Sequence, residues 1–241
     1  MKQTKKISCG VVCYRSVLAG KQQRNEILVV KKRITYSFSV FANGLYEPGD
    51  KEHLMRLFNS MTVDEKILIL TRDFGAIWRH VWMVCEPTRA FIQCRRKFED
   101  AFMVDGGERL KRLIWATTSS GQLRWEIPKG RKTFPEEMDL QCAVREFGEE
   151  TGISKENYSI YPSLKRKELY ADAGKLYETI YFGAVARANA RPIISARNWD
   201  QLSEICDIRW VTLEELKILD APSYEKIARV ARPLINALKK R

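Results

Sequence analysis

Three glutamates, Glu146, Glu149 and Glu150, stand at positions i, i+3 and i+4. On a helix that spacing places three carboxylates within one turn. Like charges so arranged repel one another by a few tenths of a kcal/mol per exposed pair, and near a helix C-terminus they also oppose the dipole. A bound cation removes the conflict, and hard oxygen ligands with positions left open for water suit Mg2+ or Mn2+. Upstream, Gly130 closes a tight loop where backbone can approach a metal or a phosphate, and Gly152 fits a helix C-cap. Three glutamates alone would ordinarily mean a solvated acidic face; their setting decides the matter.

That setting begins with the helix. Leu140, Ala143, Val144 and Phe147 fall at i, i+3, i+4 and i+7. They form an apolar stripe distinct from the acidic one, and they predict a helix from about Met138 to Thr151 docked on a sheet. Strand texture surrounds it. Ile7–Tyr14 and Glu26–Lys32 read as a hairpin about the polar turn Gly20–Asn25. Leu123–Ile127 reads as a strand followed by a loop. Arms near Leu164–Tyr170 and Tyr177–Val185 read as a second hairpin turning at Asp172-Ala173-Gly174-Lys175. Ile205–Val211 is a further strand, Leu213–Leu216 starts a short helix, and Tyr224–Lys240 is a basic helix interrupted at Pro233.

Between the first hairpin and Leu123 the texture is helical. His53–Phe58, Arg89–Phe102 and Glu108–Trp115 have helical spacing. Across Val63–Val84, Ile67, Leu70, Phe74, Trp78, Val81 and Trp82 form one stripe, read as core. The arrangement predicts an α/β domain, residues 1–33 and 119–241, split by a helical insertion at 34–118. The clusters Arg95-Arg96-Lys97 and Arg109, Lys111, Arg112 could face phosphates.

Composition bounds the function. The chain has 241 residues, with 45% apolar and 30% charged residues, which excludes wholesale disorder and fibrous repeats. No run approaches a membrane span, and Met1–Lys6 lacks the apolar stretch of a signal peptide, so a soluble intracellular protein is expected. Six cysteines, Cys9, Cys13, Cys85, Cys94, Cys142 and Cys206, contain no CxxC pair. With only His53 and His80 beside them no zinc spacing assembles, so buried free thiols are expected. The net charge of +12 favours a polyanionic partner. Residues 34–120 carry 12 Lys/Arg against 11 Asp/Glu, while the rest carries 30 against 19, so the excess lies outside the insertion.

The stretch Gly130, Glu137, Arg145-Glu146-Phe147, Glu149-Glu150, Gly152-Ile153 resembles the Nudix box, G-x5-E-x7-R-E-U-x-E-E-x-G-U. One departure stands out: six residues, not five, separate Gly130 from Glu137, unless Glu136 takes the role. Keeping Glu137 preserves the spacing within the helix and puts the extra residue in the loop. The flanks Trp125-Glu126-Ile127-Pro128-Lys129-Gly130 and Cys142-Ala143-Val144-Arg145-Glu146-Phe147, the helical block, and Ser203–Trp210 are similar to the messenger-RNA decapping Nudix enzymes of large DNA viruses.

The resemblance implies a Nudix fold, a mixed β-sheet packed between helices, with the box at 130–153. It implies cleavage of a cap pyrophosphate to 7-methylguanosine diphosphate and 5′-monophosphate RNA, in the cytoplasm (a host's, for a viral source) with host shutoff as the consequence. Glu146, Glu149, Glu150 and the Gly130 carbonyl would hold Mg2+ or Mn2+. Arg145 would pair with Glu137 and orient the helix, Lys129 would meet a phosphate, and Glu204 would be a further ligand or general base. Arg95, Arg96, Lys97, Arg109, Lys111 and Arg112 would bind RNA. Small-molecule substrates such as diphosphoinositol polyphosphates or free nucleotides are the alternative, against which the insertion of some 85 residues argues. A non-catalytic RNA-binding shell is disfavoured because three bare carboxylates would repel RNA. The residues are silent on oligomeric state.

Overall fold

A computed structural model of the protein describes residues 5–84, 88–118, 120–172 and 175–240. Met1–Thr4, Cys85 and the Ala173-Gly174 tip expected of the second hairpin lie outside the described residues. The chain divides into two compact units, one built from Met1–Lys31 and Arg124–Arg241, the other from Lys32–Leu123.

Among its described residues the first unit is a seven-stranded mixed sheet between helices. Strands β1 (Lys6–Ala19) and β2 (Gln22–Lys32) form the first hairpin, followed in this unit by β3 (Trp125–Glu126) and β4 (Lys129–Arg131). Next come β5 (Tyr158–Asp172), β6 (Lys175–Ala186) and β7 (Ile205–Val211). The order is β3-β2-β1-β6-β5, with β4 also on β1 and β7 on β2. The β1–β6 pair is parallel, and β1–β2, β1–β4 and β5–β6 are antiparallel. Cys9, Val11, Val12 and Cys13 are each at most 1% exposed, because β1 is covered on both faces, and that is why it reads as an unbroken apolar run. Cys9, Val11, Cys13, Ile180 and Phe182 pack with Ala143 and Phe147 of the long box helix (Asp139–Thr151). Val12, Tyr14 and Tyr181 pack on the other face with Ile227, Ala231 and Leu234 of the C-terminal helix (Ala221–Leu238).

Among its described residues the second unit holds six helices: α1 (Tyr36–Ala42), α2 (Lys51–Asn59), α3 (Val63–Thr71), α4 (Phe74–Trp82), α5 (Arg89–Phe102) and α6 (Glu108–Trp115). The Asp139–Thr151 helix is therefore α7, followed by α8 (Trp199–Glu204), α9 (Leu213–Leu219) and, for Ala221–Leu238, α10. The core of the second unit is aromatic, with Phe38, Phe41, Phe58 and Phe102 all at most 1% exposed. Its buried acid is accounted for: Glu65 accepts from the Thr35 N–H and hydroxyl at 2.7 and 2.8 Å and from the Thr62 N–H at 2.8 Å, fixing the starts of α1 and α3 together.

Several expectations are corrected. The Val63–Val84 stripe is two helices, because the Asp73 carboxylate caps a new start by accepting from the Ala76 N–H; Ile67 and Trp82 are left about half exposed, and Ile69 takes the core position. Lys129–Arg131, expected as loop, pairs with Ser8–Gly10 as β4, and the expected Leu123–Ile127 strand shortens to two residues. Pro233 does not interrupt α10: its apolar face is buried on both sides of the proline, and Arg229, whose carbonyl the missing N–H would have met, is on the exposed side within reach of water. Helices α1 and α8 were not foreseen. Among the cysteines, Cys9, Cys13 and Cys142 are buried, but Cys94 is half-buried and Cys206 exposed. No helix of the described residues is long and apolar enough to cross a membrane.

Candidate active site

Helix α7 carries the acidic residues and ends where Gly152 takes φ +67°, its N–H bonded to the Gly148 carbonyl. A side chain there would meet the Ile193 carbonyl at 2.7 Å, so glycine is required for backbone conformation and close approach alike. Cys142, Ala143 and Phe147 anchor the opposite face of the helix, with Phe147 edge-on to Tyr158 at 4.9 Å. The expected stripe is thus partly shifted: Leu140 and Val144 are only half-buried, and Cys142 is fully buried.

Arg145 ties the site together. Its Nε and Nη2 donate to the two oxygens of Glu137 at 2.9 and 3.1 Å, a bidentate pair. Nη1 donates to Glu146 and to Glu149, both at 2.9 Å, and Nη2 reaches the Arg131 carbonyl at 2.8 Å. Glu137 is 5% exposed and also accepts from the Thr133 N–H at 2.8 Å, whereas Glu136 is exposed. The Arg145 bond, then the Thr133 N–H, hold the Glu137 carboxyl below its ordinary range against the opposing push of burial. The extra residue of the loop is taken up within 131–136, and the Glu137–Arg145 spacing stays inside one bridge.

Gly130 of β4 lies directly against the acids. A Cβ on it would sit 2.0 Å from Glu146 Oε2, so the Glu146 carboxylate occupies the space of the missing side chain. Burial raises the Glu146 carboxyl above its ordinary value, with the Arg145 bond opposing. Glu150 is 4% exposed and accepts from the Lys129 N–H at 2.8 Å. Glu149 is the most open of the three, its side chain 49% exposed. Cys142 Sγ donates to the Gly130 carbonyl at 3.7 Å.

By chemistry the donor set fits a divalent cation: three carboxylates on one helix and a backbone carbonyl, all hard oxygens, with Glu146 against Gly130. Among the described residues no three acidic, His or Cys side chains converge tightly enough to form a coordination cluster. Arg145 lies between two of the acids of α7. Its guanidinium supplies the positive charge between Glu146 and Glu149, and these two must turn from it to share a metal.

The remaining candidates are dispersed. The Lys129 side chain pairs with Glu126 at 2.7 Å, and that carboxylate chiefly raises its pKa. Glu204 is exposed and ends α8 rather than beginning the strand. One turn before it, Gln201 is 2% exposed and fully used: it donates to the Glu150 and Ile193 carbonyls at 3.0 and 2.8 Å and accepts from the Ser195 N–H at 2.8 Å. Asn198 reaches the Glu149 carbonyl at 3.5 Å. Sequence reading missed both residues, although Asn198 three residues ahead of Gln201 is a helix-start pattern.

In the second unit, Arg95 pairs with Glu99 at 2.8 Å, Arg96 with Asp100 at 3.6 Å, Lys111 with Glu108 at 2.7 Å and Arg112 with Asp105 at 3.7 Å. Lys97 donates to the Gly44 carbonyl at 3.0 Å, and Arg109 to the carbonyls of Ala101 and Pro48. Arg96, Lys97 and Arg109 line one cleft of about 450 Å³; the other three do not.

The NUDIX domain model matches residues 100–232. The chain is 33% identical over 239 residues to the mRNA-decapping protein g5R of African swine fever virus isolate Pig/Kenya/KEN-50/1950, covering 97% of this chain and 96% of that protein. The same figures hold for isolate Tick/South Africa/Pretoriuskop Pr4/1996, with 94% of that protein covered. Among solved structures, a C. elegans Ap4A hydrolase binary complex shares 17% identity at a TM-score of 0.49, covering 98% of this chain and 99% of that one. Nudix hydrolases as a class work with divalent metals such as Mg2+. With the box helix, its arginine bridge and its glycine cradle in place, and similarity running over nearly the whole chain, the protein belongs to the NUDIX family of hydrolases.

Proposed function

We propose that the protein is a metal-dependent messenger-RNA decapping hydrolase, releasing 7-methylguanosine diphosphate and leaving 5′-monophosphate RNA. The observation that carries this reading is that the similarity to decapping proteins covers 97% of the chain, the helical unit included, and not the catalytic helix alone. In the reaction, water adds across one P–O–P bridge, its oxygen ending on one phosphate and its protons shared between the products.

Glu146, Glu149, Glu150 and the Gly130 carbonyl would hold the metal. When bound, a divalent cation neutralises pyrophosphate oxygens and lowers the pKa of a coordinated water. Arg145 holds Glu146 and Glu149 in line on α7 and, through Glu137, fixes the loop that leads into the helix. Gln201 locks α8 onto the last turn of α7, and Glu204, one turn along the same helical face, takes the proton of the attacking water. RNA is held by basic side chains, those of Arg95, Arg96, Lys97, Arg109, Lys111 and Arg112 included, a phosphate displacing the acid from the exposed ion pairs. The cytoplasm is the compartment where such a substrate is met.

Incubation with cap-labelled RNA and Mg2+ or Mn2+, with the released nucleotide identified by chromatography, tests this. Nucleoside diphosphate is expected. Monophosphate would place the scission elsewhere, and turnover persisting in chelator would remove the metal mechanism.

A further inference from the structure

Neighbouring residues on a strand point to opposite faces, so β4 offers Gly130 to the acids of α7 and Lys129 to the far side of the sheet. There Gly10 of β1 lies between its register partners Lys129 and Tyr181. A Cβ on Gly10 would stand 2.5 Å from the Pro128 carbonyl, 2.7 Å from Lys129 Cβ and 3.2 Å from Tyr181 Cδ1. The missing side chain lets the lysine stem and the tyrosine ring close over β1. Along the β5–β6 pair, Glu168 faces Thr179 and Tyr170 faces Tyr177, which puts Glu168 and Tyr170 on the same face as Tyr181. The Tyr170 and Tyr177 rings stack at 4.9 Å and 6°, and Tyr170 is 55% exposed.

Two polar groups on this face are unspent. Half-buried Glu168 makes no hydrogen bond or ion pair among the described residues, and neither does the hydroxyl of Tyr181, whose ring is 5% exposed. Neither group is among the buried polar atoms that lack a partner, so both still reach water and are open to a ligand's hydrogen bonds. Burial raises the Glu168 carboxyl above its ordinary range, with Arg229, Lys226 and Lys129 opposing.

The pattern of acceptors and donors selects a ligand. The Watson–Crick edge of guanine presents two donors, N1–H and the 2-amino group, beside one acceptor, O6. A carboxylate accepts both donors at once, and a neighbouring hydroxyl donates to O6. Adenine instead turns a lone pair toward the carboxylate. Bases displayed singly are held by such edge contacts together with an aromatic face. We infer that Glu168, the Tyr181 hydroxyl and the Tyr170 ring form a seat for the guanine base of the substrate, on the opposite face of β4 from the acids that act on its phosphates. β4 is three residues long, and among the described residues it pairs with β1 while Glu150 and Arg145 hold its Lys129 N–H and Arg131 carbonyl, so the diphosphate passes around its end. A base carrying N7-methyl charge gains further from the tyrosine face.

This inference rests on the decapping reading, and the test separates the two. RNAs capped with guanosine, inosine (which lacks the 2-amino donor) and adenosine are compared by kcat/KM in the wild-type protein and in Glu168→Gln. The wild type should favour guanosine over inosine by roughly 10-fold or more, the worth of one hydrogen bond to a charged group, and Glu168→Gln should collapse that ratio through KM. Tyr170→Ala, at an exposed position that the fold tolerates, should raise KM for guanosine-capped RNA by roughly 10-fold. GDP should bind the metal-free protein more tightly than IDP, and Glu168→Gln should equalise them. Equal wild-type rates on guanosine and inosine caps, or a ratio unchanged in Glu168→Gln, would overturn the guanine seat while leaving decapping intact. No cleavage of any capped RNA, with GDP still preferred over IDP, would overturn decapping and leave the seat.

Discussion

The site is crowded around two residues with very different tolerances. Gly130 can accept a Cβ only if the Glu146 carboxylate moves, and that carboxylate is the far end of a flexible side chain. Gly130→Ala should therefore cost little stability but displace a proposed metal ligand, lowering kcat by roughly 100-fold or more, as loss of one charge-stabilising contact does in other enzymes, with the melting temperature nearly unchanged. Steady-state kinetics beside thermal melts checks this; equal losses in both would mean that Gly130 is only structural. Glu149→Gln is expected to abolish turnover with the fold intact, since the Glu149 side chain is 49% exposed and buried contacts do not depend on it. Glu146, Glu149, Glu150, Arg145 and Glu137 were legible in the sequence because their relation is local, fixed by one helix and the loop leading into it. Gln201, Asn198 and Glu168 were not, since what matters in them is a partner, or the lack of one, across elements distant in sequence. The basic clusters were legible as charge but not as pairing: Arg95 and Glu99, or Arg96 and Asp100, face each other at i, i+4 on α5 and screen much of what looked free.

At the scale of elements, hydrophobic period gave the strands and α7 well and gave helix ends poorly. The break between α3 and α4 depends on Asp73 acting as a cap, a role its type allows but does not dictate, and β4 forms because Gly10 lets the backbone crowd in, which no property of Lys129–Arg131 announces. Asp220 shows how much one cap can hold. It accepts from the Ser223 N–H and hydroxyl, the Trp125 N–H at 3.2 Å and Arg124 at 2.8 Å, joining the start of α10 to β3. Burial pushes its carboxyl up, but these four donors together hold it below its ordinary value of 3.8. A carboxyl depressed in the folded state stabilises fully above its unfolded pKa, and that contribution disappears as the pH falls through the folded one. Asp220→Ala is expected to cost roughly 2 kcal/mol or more at neutral pH, from the lost cap and the stranded Trp125 N–H. The gap in melting temperature to the wild type should stay constant from pH 7 to about 5 and narrow as the pH drops below 3.8. A gap independent of pH would assign the stabilisation to shape alone.

Taken whole, the molecule divides its charge unevenly. Lys32–Leu123 carries 14 basic against 11 acidic residues, and the remainder 28 against 19, so the catalytic unit holds most of the field that draws a polyanion. Within that unit Lys165, Arg166 and Lys167 lie exposed on β5, the last strand of the sheet, and Lys226, Arg229 and Arg232 lie exposed on α10. In the helical unit, the Arg95–Glu99 and Arg96–Asp100 pairs are solvent-exposed and therefore weak enough for a phosphate to displace the acid. Both units should contribute to holding RNA, by different amounts, and salt measures the amounts. Each phosphate contact on single-stranded RNA contributes about −0.7 to the slope of log affinity against log salt concentration. Reversing the charge of Lys165, Arg166 and Lys167 should flatten that slope by up to about two, and reversing Arg95, Arg96 and Lys97 should flatten it less, because three acids on the same unit already neutralise them. A short cap analogue, which spans neither surface, should be cleaved by both variants at close to the wild-type rate. Equal losses on capped RNA and on the analogue would strip the altered surface of any role in RNA binding, and an unchanged slope in both variants would mean that the net charge of +12 serves something other than the substrate.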